Sequence, residues 1–155
     1  MKSVVFVCHG NICRSPMAEF VFRAALAAHG IENAAVASRA TSREEIWGGV
    51  GNPIYPPARA CLRAHGVPFD NAKRATQLSA EDCRQYDLII VMDDNNRRNV
   101  LGMFPDAAPK VRKLLDFASG GDVADPWYTD DFEAAYRDIV KGCDALLAYL
   151  LALPR

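Results

Sequence analysis

The sequence predicts an α/β fold: a single-domain open sandwich in which a four-stranded parallel sheet carries helices on both faces. Three observations predict it. An apolar run at 4–7, a weaker apolar patch at 34–37, a run at 88–92 and the segment 110–115 read as strands, helix-like segments alternate with them, and the first run is continuously apolar, as befits a strand buried on both faces. With 155 residues, half of them apolar, the chain has the size of one domain, 1–155, able to fold without disulfides or a structural metal.

The elements follow in order. Ser3 to Cys8 stops at His9-Gly10-Asn11, so the first element reads as a central strand ending at a tight loop. Ser15-Pro16 then opens a helix over 17–29, with apolar residues at 17, 20, 21, 24, 25 and 28, proline in its first turn and Gly30 as terminator. Further helices are predicted near 57–65, 79–86 and 95–103, the second signalled by Ser79 followed by Asp82. Gly48, Gly49 and Gly51 beside Pro53, Pro56 and Pro57 mark a long irregular loop. The last helix is expected to begin with Asp130 as its cap and Glu133 at the third helical position. Its apolar stripe at 132, 136, 139, 140, 143, 146, 147 and 150 is core packing.

Several function classes are disfavoured. A net charge of −1 with scattered Lys and Arg leaves no basic block for nucleic acid or an anionic membrane. No apolar stretch reaches about 18 residues and the start leads straight into a strand, which points to a cytoplasmic protein. Cysteines at 8, 13, 61, 83 and 143 are odd in number and uneven in spacing, so reduced thiols are expected.

The chemistry concentrates in Cys8-His9-Gly10-Asn11-Ile12-Cys13-Arg14-Ser15, between the end of a strand and the start of a helix. Backbone N–H groups there, with the helix dipole, make an anion cradle for phosphate. The same field favours thiolate over thiol, so Cys8 is a candidate nucleophile. Arg14 stands six positions on, enough for the loop to curl around one tetrahedral anion while the guanidinium fork takes two of its oxygens. Ser15 either donates to the sulfur or caps the helix. Asp125-Pro126-Trp127-Tyr128 supplies a carboxyl group beside two aromatics, and Asp125 is the candidate general acid, although Asp-Pro alone is only a turn signal.

The octet, with Pro16-Met17-Ala18-Glu19 after it, resembles the start of the low-molecular-weight protein tyrosine phosphatase family, whose signature reads Cys-x-Gly-Asn-Ile-Cys-Arg-Ser. Val91-Met92-Asp93 and Asp125-Pro126 extend the resemblance along nearly the whole chain. It implies hydrolysis of phosphotyrosine through a phosphocysteine, with Cys8 as nucleophile, Arg14 as phosphate clamp and Asp125 as acid then base. It implies phosphate binding by His9, Gly10, Asn11, Ile12, Cys13 and Ser15, and pocket walls from Trp47, Trp127 and Tyr128. Asn11, Ser15, Ser38 and His65 would brace the loop. No cofactor or metal is expected. The implied partner is a phosphotyrosine protein such as an autophosphorylated bacterial tyrosine kinase, met by a monomer or weak dimer.

Some residues keep two readings. His9, at a variable signature position, either faces the substrate or is a solvent-facing loop histidine; Trp47 is a wall or a loop anchor; Cys13 is a redox partner for Cys8 or packs below the loop. Among rivals, a thioredoxin-linked arsenate reductase needs two relay cysteines, and Cys83 has Ile90 seven residues on. A protein arginine phosphatase characteristically carries threonine where this chain has Ile12. A zinc set from Cys8, His9 and Cys13 lacks a fourth ligand, and a noncatalytic phosphopeptide-binding module has no need of both Cys8 and Asp125.

Overall fold

The structure is a computed structural model and describes residues 1–154. Its elements run β1 (Val4–Cys8), α1 (Arg14–Ala28), β2 (Val36–Ala40), β3 (Ile46–Trp47), β4 (Val50–Gly51), α2 (Pro56–Ala64), α3 (Ala80–Gln85), β5 (Leu88–Val91), α4 (Asp94–Met103), β6 (Val111–Lys113), α5 (Pro126–Thr129) and α6 (Phe132–Ala152). Short 3₁₀ turns flank β6 at Pro105–Lys110 and Leu114–Phe117.

The four main strands form a parallel sheet in the order β2-β1-β5-β6, as expected. Val4 pairs with Val36 on one side and Leu88 on the other, so β1 is central and the chain leaves it first to one side and later to the other. That reversal makes a crevice at the carboxyl end of β1, where open α/β sheets take ligands. Successive side chains of a strand face opposite ways, and the burial follows. Val4, Phe6, Cys8 and Ile90 join the core beneath α1, α2 and α6, while Val5, Val7, Ile89 and Val91 join the core with Leu78, Val100 and Val111. Both faces are covered.

Local details differ from the sequence reading for identifiable reasons. Helix α1 begins at Arg14 rather than 17, and its whole first turn is buried, because it starts inside the protein against β1. Strand β2 begins two residues beyond the start of the expected patch, since Ser38, buried, and Arg39, half-buried, are polar and break the apolar signal. The irregular loop contains the antiparallel hairpin β3–β4, turned by Gly48 and Gly49 at φ 59° and 80°. A Cβ on Gly51 would strike the backbone of Ala75, so that strand end needs glycine. The last helix is capped by Asp131, whose carboxylate accepts from Ala134 N at 2.9 Å, and Asp130 instead adopts a left-handed conformation that ends α5. Ser79 and Asp82 form the anticipated reciprocal cap. Among the described residues, no helix is long and apolar enough to cross a membrane.

Candidate active site

The loop after β1 turns through Asn11, a left-handed residue at φ 59°, which asparagine tolerates better than most side chains. The turn curls the chain back over the strand end. Asn11 N and Ser15 N then point at Cys8 Sγ, at 3.3 and 3.4 Å, and the Cys8 and Ser15 side chains lie 3.0 Å apart. Ser15 thus engages the sulfur; the residue at the α1 cap position is Cys13, with no side-chain capping bond.

Arg14 is 3 % exposed and reaches under the opening. Nη1 donates to Val123 O at 3.1 Å, and Nη2 lies 3.0 Å from Asp93 Oδ2 and 3.3 Å from Asp125 Oδ2. Burial works against its charge, but Cys8, Asp125 and Asp93 outweigh burial and hold the guanidinium more firmly protonated than usual. Each carboxylate is anchored by a helix start. Asp93 Oδ1 accepts from Asn96 N at 2.7 Å and caps α4, and Asp125 Oδ1 accepts from Trp127 N at 3.1 Å at the start of α5.

These groups share one cavity of about 630 Å³, lined by the 8–14 loop, Asp93, Asp125, Trp127 and Tyr128. Trp127 and Tyr128 are 74 % and 84 % exposed, so they stand as open walls. Ile12 contributes apolar lining, and a Cβ on Gly10 would crowd Glu45 Cγ at 3.2 Å. His9 lies on the rim with Nε2 3.0 Å from Glu44 Oε2. Cys13 packs against the core, where burial first and Cys8 second raise its thiol pKa strongly.

Behind the cavity, Asn11 ties the loop to its neighbours. Its Nδ2 donates to Ser15 Oγ at 2.8 Å and Ser38 Oγ at 3.0 Å, and Ser38 Oγ donates to the buried Glu19 Oε1 at 2.7 Å. Its Oδ1 accepts from Thr76 N at 3.0 Å and Lys73 Nζ at 2.9 Å.

Two expected site residues stand elsewhere. His65 does not brace the loop: it pairs with Glu133 Oε2 at 2.7 Å and stacks on Tyr136 at 3.9 Å, because the end of α2 packs on the start of α6. Lys73 holds the bracing position instead. Trp47 does not line the cavity; it sits on the β3–β4 hairpin, 73 % exposed, with its indole N–H donating to Glu44 O. Residues the sequence reading gave no role, Asp93, Glu19, Glu44 and Lys73, are polar side chains whose partners are far away in sequence. Only Asp93 carried a signal, at the end of an apolar run before a helix. Among the described residues, one group of metal-type donors converges, Cys61, His65 and Glu133, with ligand atoms within 4.8 Å; it lies between α2 and α6, apart from Cys8, His9 and Cys13.

Comparison with known proteins agrees with this geometry. The family model for low molecular weight phosphotyrosine protein phosphatases matches residues 3–153. The low molecular weight protein-tyrosine-phosphatase PtpA of Staphylococcus saprophyticus is 37% identical over 153 residues, covering 97% of this chain and 95% of that protein. Among solved structures, a low molecular weight protein tyrosine phosphatase from Streptococcus pyogenes superposes with a TM-score of 0.84 at 40% identity, over 97% of this chain and 93% of its own. A Drosophila arginine phosphatase superposes at 0.86 with 25% identity, over 99% and 100%.

Proposed function

The chain belongs to the low molecular weight phosphotyrosine protein phosphatase family, and from that premise we propose that it hydrolyses phosphotyrosine in proteins, with Cys8 as nucleophile, Arg14 as phosphate clamp and Asp125 as general acid and base. The observation that carries the reading is the convergence on one cavity of a sulfur facing two loop N–H groups, a buried guanidinium and a carboxyl group beside two open aromatic walls.

The geometry supports a two-step displacement. Phosphate oxygens take the place of Asp93 and Asp125 as partners of Arg14, whose fork matches two of them. Cys8 Sγ forms a bond to phosphorus as the bond to the phenolic oxygen breaks, and Asp125 gives that oxygen its proton. Loop N–H groups and Arg14 hold the equatorial oxygens, already oriented before charge develops. Water then attacks the phosphocysteine, Asp125 takes its proton, and the sulfur leaves with the bonding electrons. The chain's own residues perform each step.

Ile12 supports phosphotyrosine over phosphoarginine, since its side chain offers the cavity an apolar surface and no hydrogen bond. The natural substrate is proposed to be a phosphotyrosine protein such as an autophosphorylated bacterial tyrosine kinase, acted on in the cytoplasm by a monomer or weak dimer. The test is phosphate release from phosphotyrosine, phosphoserine and phosphoarginine peptides with chelator present. Selective release from phosphotyrosine, lost in Cys8→Ser, is expected; preference for phosphoarginine would move the chain to the other branch of its fold.

A further inference from the structure

Lys73 lies between α2 and α3, and its ammonium is turned into the protein. Nζ donates to Asn11 Oδ1 at 2.9 Å, Ser38 O at 3.1 Å and Arg74 O at 3.1 Å. An ammonium has three donors and no acceptor, so these three bonds saturate it. The charged or titratable groups around it come from every neighbouring element: Glu19 on α1, Arg39 on β2, Cys8 at the end of β1 and Asp82 on α3. A cation drawn out of water against the buried Asn11 amide and Ser38 carbonyl calls for an explanation.

We propose that Lys73 is a positioning residue for the nucleophile: as a donor-only cation it fixes which way the Asn11 amide faces, and so directs the Ser15 proton to Cys8 sulfur. The inference rests on the phosphatase reading above.

The argument is one of hydrogen-bond polarity. An asparagine amide has two ends of nearly equal size, and a half-turn exchanges them. As observed, Oδ1 faces two donors, Lys73 Nζ and Thr76 N, and Nδ2 faces two hydroxyls. Turned round, Nδ2 would meet the ammonium and the Thr76 N–H, donor against donor, and Oδ1 would claim the Ser15 proton. Thr76 N alone offers a neutral bond; the charged one is roughly twice as strong. Lys73 therefore dominates the choice.

With Asn11 Nδ2 donating to it, Ser15 Oγ keeps one proton to give. The acceptors in reach are Cys8 Sγ at 3.0 Å and Arg39 O at 3.4 Å. A neutral thiol donates to Ser15, but a thiolate is the nearer and charged acceptor, and it takes the proton's hydrogen bond. That thiolate appears when the S–P bond of phosphocysteine breaks and the electron pair stays on sulfur. Lys73 thus acts on the second chemical step, through Asn11 and Ser15, without touching substrate.

Its surroundings give the device a pH limit. Burial is the largest influence and lowers the Lys73 pKa to about 8, against the opposing pull of Glu19. Above that pH the neutral amine can accept as well as donate, and the polarity of Asn11 is no longer enforced.

The experiment compares wild type with Lys73→Met, which keeps the stem and removes the donors, and Lys73→Gln, which restores a donor without charge. Steady-state kcat and KM, and a rapid-mixing trace of phenol release from an aryl phosphate, are recorded across pH 6–9.5. Lys73→Met is expected to lower kcat about tenfold, the effect of losing a charge-assisted hydrogen bond, with KM falling in proportion so that kcat/KM is little changed, and with phosphocysteine accumulating as a burst. Lys73→Gln should recover part of kcat, and the wild-type decline near pH 8 should vanish in both variants. Unchanged kcat in a folded Lys73→Met overturns the proposal. Should Lys73→Met fail to fold, a pH 8 decline persisting in Lys73→Gln overturns it equally. A wild type without phosphatase activity would overturn the phosphatase reading as well, whereas an active wild type with indifferent variants removes only the role of Lys73.

Discussion

The two loops that meet at the cavity are built in opposite ways. The phosphate loop, 8–15, is locked from behind: Asn11, Arg14 and Ser15 are 1 %, 3 % and 0 % exposed, and the Asn11 side chain makes one hydrogen bond within the loop and three to two other segments, β2 and 73–76. The loop that carries Asp125 is anchored at its base, where Val123 bonds Met92 and Arg14 and Ala124 N donates to Asp138 Oδ2, but beyond Asp125 it is one short turn of helix whose two aromatics stand largely in solvent. The difference teaches where pre-organisation is needed. An anion must meet donors already aimed at it, because reorienting them during reaction would cost much of their benefit; an acid that serves two different oxygens in two steps is better placed on a lightly held segment beside an open wall.

The comparison makes graded predictions. Removing the sulfur should be the most damaging change: Cys8→Ser lowers kcat by at least about 10⁴-fold, read as phosphate release, while inorganic phosphate still binds. Removing the acid should slow rather than abolish: Asp125→Asn costs about 10²–10⁴-fold, and the loss shrinks as aryl phosphates with more acidic phenols are used. An equal loss with every leaving group would break the assignment of the second loop. On stability the order should reverse between the loops' supports and their surfaces. Asn11→Ala strands Ser15, Ser38 and Thr76 and forces alanine into a left-handed conformation, so urea unfolding should show a loss of about 2–4 kcal/mol. Trp127→Ala should leave the urea midpoint nearly unchanged and raise KM several-fold, because the ring, 74 % exposed in the free protein, buries little surface on folding and is free to cover a substrate ring.

The smallest effect concerns the ground behind the acid loop, where Cys61 meets Glu133 at 3.5 Å beside the His65–Glu133 pair. Burial, then Glu133, pushes the Cys61 thiol up to about 11 from an ordinary value near 9. The folded chain keeps between those values a proton that the unfolded chain loses. This contribution to stability is therefore complete below pH 9 and gone above pH 11. The wild type should lose roughly 1 kcal/mol more than Cys61→Ala across that window, measured by urea titration at fixed pH.

How much of this was legible in the sequence follows the same division. The phosphate loop was readable because its chemistry is consecutive: strand, Cys8, turn residues, Arg14 and helix start occupy one short stretch. Asp125 was readable from its aromatic neighbours. The bracing network was readable only in part: the family resemblance put Asn11, Ser15 and Ser38 in it, and these are hydrogen-bonded together, but Lys73 and Thr76 are brought in by sheet order and loop packing, and a lysine between two helices looks like any solvated lysine. His65 was expected in that place and instead ties α2 to α6, while Trp47 was expected in the wall and stays on its hairpin. The fold was read more surely than its edges. Continuous apolar runs marked β1 and β5, but the polar residues of β2 hid its register, and two adjacent aspartates, 130 and 131, offered the same cap signal to one helix.

The central claim is that Cys8 carries phosphate during turnover. The direct measurement is acid quench of wild type within milliseconds of mixing with a phosphotyrosine peptide, followed by mass spectrometry of the peptide containing residues 8–14. The account predicts transient phosphate on Cys8, absent from Cys8→Ser and gone when substrate is exhausted. Phosphate release at the full rate with no adduct at Cys8, or with the adduct on His9, would contradict it.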